Sequence, residues 1–187
     1  MKAIETEYNG FKFRSRLEAR WAVFLDCVGI KWTYEPEGYV LNSGGYYLPD
    51  FFLPETKIWN GECIGCFLEV KPEINNVDDK WELFSRESDY PIILIGNIPY
   101  PYLNPSDYYS GDFYWYQSKN ACDGPYVFCE CTKCGKVGLQ FDGRSARIDC
   151  VCNSDSDKEY NYDSAKLVNA YKTARQARFE HGEYPLV

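Results

Sequence analysis

Leu48-Pro49-Asp50-Phe51 and Phe67-Leu68-Glu69-Val70-Lys71 are the stretches on which the fold turns. Along a strand, alternate side chains share a face, so Glu69 and Lys71 point one way while Val70 points into a core. Packing alone gives little reason for two charged groups on one face of a strand that begins Phe67-Leu68. If the strand holding Asp50 pairs antiparallel with this one, Asp50 comes to lie beside Glu69. Two close carboxylates repel unless a cation lies between them. Oxygen ligands of that kind suit a hard ion, Mg2+ or Mn2+. Such an ion can lower the pKa of water and offset charge on a phosphoryl oxygen. Lys71, one strand repeat away, is placed to orient that water or to offset developing charge.

Working outward, residues 6 to 14 read as a hairpin around Asn9-Gly10, a strong two-residue turn signal. A helix starts at Ser15 and runs to about Val28. Leu17, Trp21, Phe24, Leu25 and Val28 form its apolar stripe, and Gly29 ends it. Strands are expected at about 33 to 41, 46 to 53 and 66 to 71, the first two joined by a tight Asn42-Ser43-Gly44-Gly45 turn. The connection to the third is longer and holds Cys63-Ile64-Gly65-Cys66. Asp78 to Ser88 reads as a helix with Trp81 and Phe84 on one face. Ile92-Ile93-Leu94-Ile95 suits a strand buried on both faces. Helix, three strands, helix, strand is an α/β unit with a mixed sheet. Residues 97–128, rich in Tyr, Pro, Asn, Asp and Gly, read as an irregular insertion with room for one or two short strands. Ser164 to about Glu180 is a last helix, with Leu167, Ala170, Tyr171, Ala174 and Ala177 on one face.

The 187 residues suggest one domain, or one domain and a small module, and 45% hydrophobic residues make a packed core attainable. Seventeen Tyr exceed what a core needs, which leaves some for recognition at the surface. The net charge of −8 argues against nonspecific binding of nucleic acid by the whole surface. It leaves room for a local basic strip or for phosphate neutralised by metal. No apolar run is long enough for a membrane span, and no apolar signal segment opens the chain. A cytoplasmic protein is therefore expected, with its nine cysteines as thiols and metal ligands rather than disulfides.

Cys131-Thr132-Lys133-Cys134-Gly135 reads as a zinc-knuckle turn, and Cys150-Val151-Cys152 supplies a second, tighter pair. Four such thiolates suit tetrahedral, structural Zn2+. Cys129 could replace one of them. Cys63 and Cys66 are either half of a second site, with Cys122 or Cys129, or unligated thiols; both readings stand. Cys27 is assigned to the core. Basic flanks are expected on two helices: Arg14, Arg16 and Arg20 at the first, Lys172, Arg175 and Arg178 on the last. They are set either to meet phosphates or to form ordinary solvated faces. His181 is read as a helix-terminal cation without a catalytic role.

Asp50 followed by Glu69-Val70-Lys71 resembles the signature of the PD-(D/E)XK, or restriction-endonuclease-like, nuclease superfamily. The element order is similar to that family's core. An acid on the first helix also fits, as Glu18 in Ser15-Arg16-Leu17-Glu18-Ala19-Arg20-Trp21, and this segment looks like small phage-borne members. The resemblance covers about residues 8 to 96. It implies a Mg2+- or Mn2+-dependent nuclease that cuts a phosphodiester with water, DNA rather than RNA as substrate, and a setting of nucleic-acid processing or phage–host conflict. It further implies that Asp50, Glu69 and the Val70 carbonyl bind the metal. Lys71 would act on the attacking water, and Glu18 would bind through water or help hold a second ion.

The expected organisation is a nuclease core (1–96), the insertion (97–128), a zinc-ribbon module (129–160) and a C-terminal helix packing back on the core (161–187). Plainer accounts compete. Ser15-x-x-Glu18 is a capping box, which explains Glu18 by helix stability, and the two roles can coexist. Asp50 taken alone could be a turn residue, and Glu69 with Lys71 a solvated strand face. The rival function is a non-catalytic zinc-ribbon factor that contacts DNA or a protein, for example to block a host defence. A protein partner for targeting is compatible with either.

Overall fold

The computed structural model describes residues 4–58, 63–73, 79–99, 114–117, 122–141 and 163–179. It has a mixed α/β architecture. The chain opens with a hairpin, β1 (Thr6–Tyr8) and β2 (Phe11–Phe13), in the register Thr6↔Phe13. Asn9 and Gly10 turn it, both with positive φ (49° and 80°), as a two-residue hairpin turn that follows the strand twist requires.

Helix α1 (Arg16–Val28) follows. Ser15 caps it in an extended conformation, its hydroxyl oxygen accepting from the Glu18 amide. Gly29 ends it at φ 76°, and the Ile30 amide donates back to the Leu25 carbonyl at 2.9 Å. That double closure satisfies carbonyls the helix would otherwise leave open, and a glycine best tolerates the left-handed turn. The expected stripe faces the core: Trp21, Phe24 and Leu25 are fully enclosed, Val28 is buried and Leu17 partly so. Helix α3 (Ala165–Gln176) lies against α1, with Tyr171 stacked on Phe24 at 4.5 Å between ring centroids. Its buried face is Leu167, Ala170, Tyr171 and Ala174.

The main sheet contains β3 (Thr33–Tyr34), β6 (Phe51–Ile58), β7 (Cys63–Val70), β8 (Ile92–Ile95), β9 (Tyr114–Gln117), β10 (Cys122–Glu130) and β11 (Val137–Phe141), in the order β11-β10-β9-β8-β7-β6-β3. Pairing is antiparallel from β3 through β6 to β7, then parallel from β7 to β8 across helix α2 (Lys80–Glu87). Strand β11 also pairs with the far end of β6, Leu139 opposite Ile58, so the sheet curls round and meets itself. A separate hairpin, β4 (Tyr39–Val40) and β5 (Tyr46–Tyr47), lies between β3 and β6 in sequence.

Successive residues of β7 serve different cores. Cys66, Leu68 and Val70 face the large cluster beneath α1 and α3. Phe67 joins Leu41, Tyr47, Phe84 and Ile92 on the other face, where α2 and the β4–β5 hairpin pack. Among the described residues, no helix is long and apolar enough to cross a membrane.

Several details depart from the expected strands. The segment 33 to 41 breaks in two, because Glu35 takes φ 43° and Pro36, without an N–H, follows it. The segment 46 to 53 also divides, at Pro49, into β5 and the start of β6. Strand β6 then continues through Pro54 to Ile58, with a register shift between Leu53 and Lys57 that accommodates the proline. Cys63-Ile64-Gly65-Cys66 therefore lies on β7 rather than in a connection. Gly65 takes φ 101° there, and a Cβ on it would stand 3.2 Å from the Tyr90 ring. Strand β9 falls within the expected insertion, and β10 crosses its expected end, running over residues 128 and 129 without a break.

Candidate active site

The register Phe51↔Leu68 and Phe52↔Phe67, carried one pair further, sets Asp50 opposite Glu69. Glu69 lies on the α2 side of the sheet, where Tyr47 meets it. Asp50 and Glu69 are buried, at 3% and 4% exposure, as is Glu18 at 7%. Glu18 comes from the first turn of α1, on the other side of the sheet.

Each carboxylate is held by named donors. Asp50 Oδ2 accepts from the Val70 amide at 2.8 Å, and Oδ1 accepts from the Arg14 guanidinium at 2.5 Å. Glu69 Oε1 pairs with Lys71 Nζ at 2.6 Å, and Oε2 accepts from the Tyr47 hydroxyl at 2.7 Å. Glu18 Oε1 accepts from the Ser15 hydroxyl at 2.7 Å; Oε2 accepts from the Tyr34 hydroxyl at 2.6 Å and the Arg14 amide at 3.1 Å. Glu18 is thus part of the helix cap, and its charge also reaches Asp50. Its carboxylate reaches the amide before the cap rather than that of Ser15, a variant of the capping box.

Burial is the largest cause of a rise in the Asp50 pKa to about 8, with the charges of Glu69 and then Glu18 adding to it. The Val70 amide and Arg14 oppose the rise without cancelling it. Burial also raises the Tyr34 hydroxyl well above its usual range, and its bond to Glu18 adds to this.

Among the described residues, no group of three or more His, Cys, Asp or Glu is arranged to hold a metal ion. The donor set still fits a hard cation in kind. Asp50 and Glu69 are buried carboxylates, and the charge of Glu69 helps raise the Asp50 pKa; Mg2+ is commonly held by one or two carboxylates with waters completing the shell. Arg14 and Lys71 already supply positive charge to those oxygens, so a divalent ion must compete with them. Val70 sits between Glu69 and Lys71, its side chain in the large core.

The other predicted ligands divide. Cys131 is buried and Cys134 exposed, on a turn where the Gly135 amide donates to the Cys131 carbonyl at 2.9 Å. Lys166 at the start of α3 donates to the Gly135 carbonyl at 2.9 Å and ties the turn to that helix. Cys150 and Cys152 lie outside the described residues. Cys129 and Cys66 are buried in the large core, and Cys27 is partly buried against it. Cys63 and Cys122 begin β7 and β10.

The basic flanks are less uniform than expected. Arg14 faces the acids, and Arg16 and Arg20 are half-buried. Lys172 and Arg178 are exposed. Arg175 donates to the Ile98 carbonyl and so clamps α3 to the segment after β8. His181 lies outside the described residues.

Sequence reasoning missed the inward roles of Arg14, Tyr34 and Tyr47. Arg14 carried only the signal of a basic residue near other basic residues. The tyrosines carried only the signal of their number. No family model, no curated protein and no solved structure matches the chain.

Proposed function

We propose that the chain is a divalent-metal-dependent nuclease of the PD-(D/E)XK type, acting on DNA. One observation carries the reading: Asp50, just before β6, and Glu69 on the antiparallel neighbour β7 are buried carboxylates, Asp50 bonded to the Val70 amide and Lys71 paired to Glu69 from the same strand. The order of helix, three antiparallel strands, helix and parallel strand agrees with it.

In this reading Asp50 and Glu69, with the Val70 carbonyl, hold Mg2+ or Mn2+. When bound, the cation lowers the pKa of water and offsets charge on the phosphoryl oxygens. Lys71, 38% exposed, presents its ammonium at the edge of the buried pair, where it orients the attacking water. Water adds to phosphorus, the bond to the leaving oxygen breaks, and a proton passes to that oxygen. Tyr47 and Tyr34 fix the rotamers of Glu69 and Glu18. We also propose that Cys131 and Cys134, with Cys150 and Cys152, bind a structural zinc ion.

A second reading, a non-catalytic binding factor, is favoured by one feature. Every carboxylate oxygen of Asp50, Glu69 and Glu18 has a protein donor, as in a closed structural network.

The two are separated by incubating the purified protein with plasmid, single-stranded DNA and RNA in Mg2+, Mn2+ or EDTA. Glu69→Gln and Lys71→Ala are run in parallel. Cleavage is expected from the parent only with metal, and is expected to fall by about 100-fold or more in both variants. No metal-dependent cleavage of any substrate, or equal cleavage by Glu69→Gln, would sink the nuclease reading.

A further inference from the structure

Arg14 is anchored more firmly than a residue of a solvated basic strip. Its amide is shared by Glu18 Oε2 at 3.1 Å and the Tyr34 hydroxyl at 3.0 Å, which fixes the backbone. Its guanidinium then spans two acids. One nitrogen meets Asp50 Oδ1 at 2.5 Å, and Nε meets Glu35 Oε1 at 2.7 Å. The Arg14 side chain is 54% exposed, whereas that of Asp50 is 4% exposed. The guanidinium thus stands at the mouth of the site, between a buried carboxylate and solvent.

The two oxygens of Asp50 are not equivalent. Oδ2 is bound to the Val70 amide within the sheet. Oδ1 is the oxygen that Arg14 covers. A cation that binds Asp50 through Oδ1 meets a positive charge already on that atom, and like charges at such a distance repel strongly.

Glu35 supplies a second anchor that does not depend on Asp50. It is one of two non-glycine residues with positive φ among the described residues, at 43°, and unlike Asn9 it is not in a two-residue hairpin turn. Its amide donates to the Asp50 carbonyl at 2.9 Å, so the strained residue is tied to the same strand end as the site. Strain retained beside a buried acid pair points to use. An arginine released from Asp50 is kept at the mouth by Glu35. There its planar fork matches a phosphate.

We infer that Arg14 competes with the divalent cation for Asp50 and, once displaced, binds the substrate phosphate at the mouth of the site. This rests on the nuclease reading. Arg14 therefore lowers the protein's affinity for metal and raises its affinity for nucleic acid. A residue that merely holds the fold together has no reason to do both.

The test uses the full chain in two titrations. In the first, Mn2+ alone is added, without nucleic acid, and free Mn2+ is counted by electron paramagnetic resonance. Arg14→Gln should bind Mn2+ tighter than the parent by about tenfold or more. Arg14→Lys, which keeps the charge but loses the fork, should fall between. In the second, a fluorescent oligonucleotide is bound in Ca2+ and followed by anisotropy. Arg14→Gln should bind more weakly, with a shallower dependence on salt. Arg14→Lys should recover part of the affinity. If Arg14→Gln melts too early for use, the Mn2+ affinity of Arg14→Lys against the parent decides the matter. A variant that binds Mn2+ no tighter than a parent that does bind it overturns the inference and leaves the nuclease reading standing. Absence of Mn2+ binding by the parent, together with absence of cleavage, overturns both.

Discussion

The Tyr47 hydroxyl donates to Glu69 Oε2 at 2.7 Å while its ring stacks on Phe84, 4.7 Å between centroids. The β4–β5 hairpin thereby serves the site from a distance: helix α2 fixes the ring and the ring aims the hydroxyl. Glu87 of the same helix accepts from the Asn42 amide and holds the hairpin's turn. Tyr47→Phe keeps the stack and removes the donor. It is expected to cost about 1–3 kcal/mol in urea unfolding, the range for stranding a buried acceptor. Phe84→Ala should cost about 3–5 kcal/mol, because it also empties a core position. Equal stability of Tyr47→Phe and parent would show that the hydroxyl contributes nothing to holding Glu69.

The acid cluster makes a statement about pH. Asp50 moves from 3.8 to about 8 on folding, so between these values the folded chain binds a proton that the unfolded chain has lost. Stability from this group is complete below pH 4 and declines as pH rises through 8. In EDTA, Asp50→Asn should therefore gain melting temperature relative to the parent as pH rises from 4 to 8, with no further change above. A difference that stays flat over that range would contradict the raised pKa. Adding Mn2+ to the parent should reduce the difference at pH 8.

Ser15 and Glu18 can be separated by substitution. Ser15→Ala removes the cap of α1 and should cost about 0.5–2 kcal/mol. Glu18→Gln keeps an acceptor for Tyr34 and relieves the charge beside Asp50, so the folded protein should remain within about 1 kcal/mol of the parent. Metal-dependent cleavage, by contrast, should fall. If Glu18→Gln cleaves like the parent, Glu18 serves the helix alone.

The Cys131–Gly135 turn gives a test of metal content. Elemental analysis of the purified protein should find zinc, and a Cys131→Ser, Cys134→Ser double variant should lose it. The buried Cys131 makes this the more telling half of the pair. Zinc content unchanged in the double variant would move the site to Cys63 and Cys66.

Where local chemistry decides an element, the sequence was readable. Helix α1 carried its cap, its stripe and its terminal glycine in order, and all three appear in the structure. The expected antiparallel pairing of the strand after Asp50 with the strand of Glu69 is present as β6 and β7. What could not be read depended on partners distant in sequence. Strand β6 runs through Pro54 beyond the expected end near residue 53, because a bulge that tolerates a proline leaves no mark in the flanking residues. Cys63 to Gly65 looked like a connection for the same reason. Arg14 looked like part of a surface strip, since nothing nearby says that it will meet an acid 36 residues away.

The pairing of Leu139 with Ile58 has a consequence for how the protein is made. Arg14, Glu18, Asp50, Glu69 and Lys71 all leave the ribosome before the strand that closes the sheet has been synthesised. Until β11 arrives, part of one edge of β6 is an open template for pairing with other chains. Contacts across so long a loop form late and slowly. A growing chain thus carries its whole acid and basic constellation on a sheet that is still open. Pairing of β11 with β6 closes the sheet and covers that stretch of edge before α3 is made.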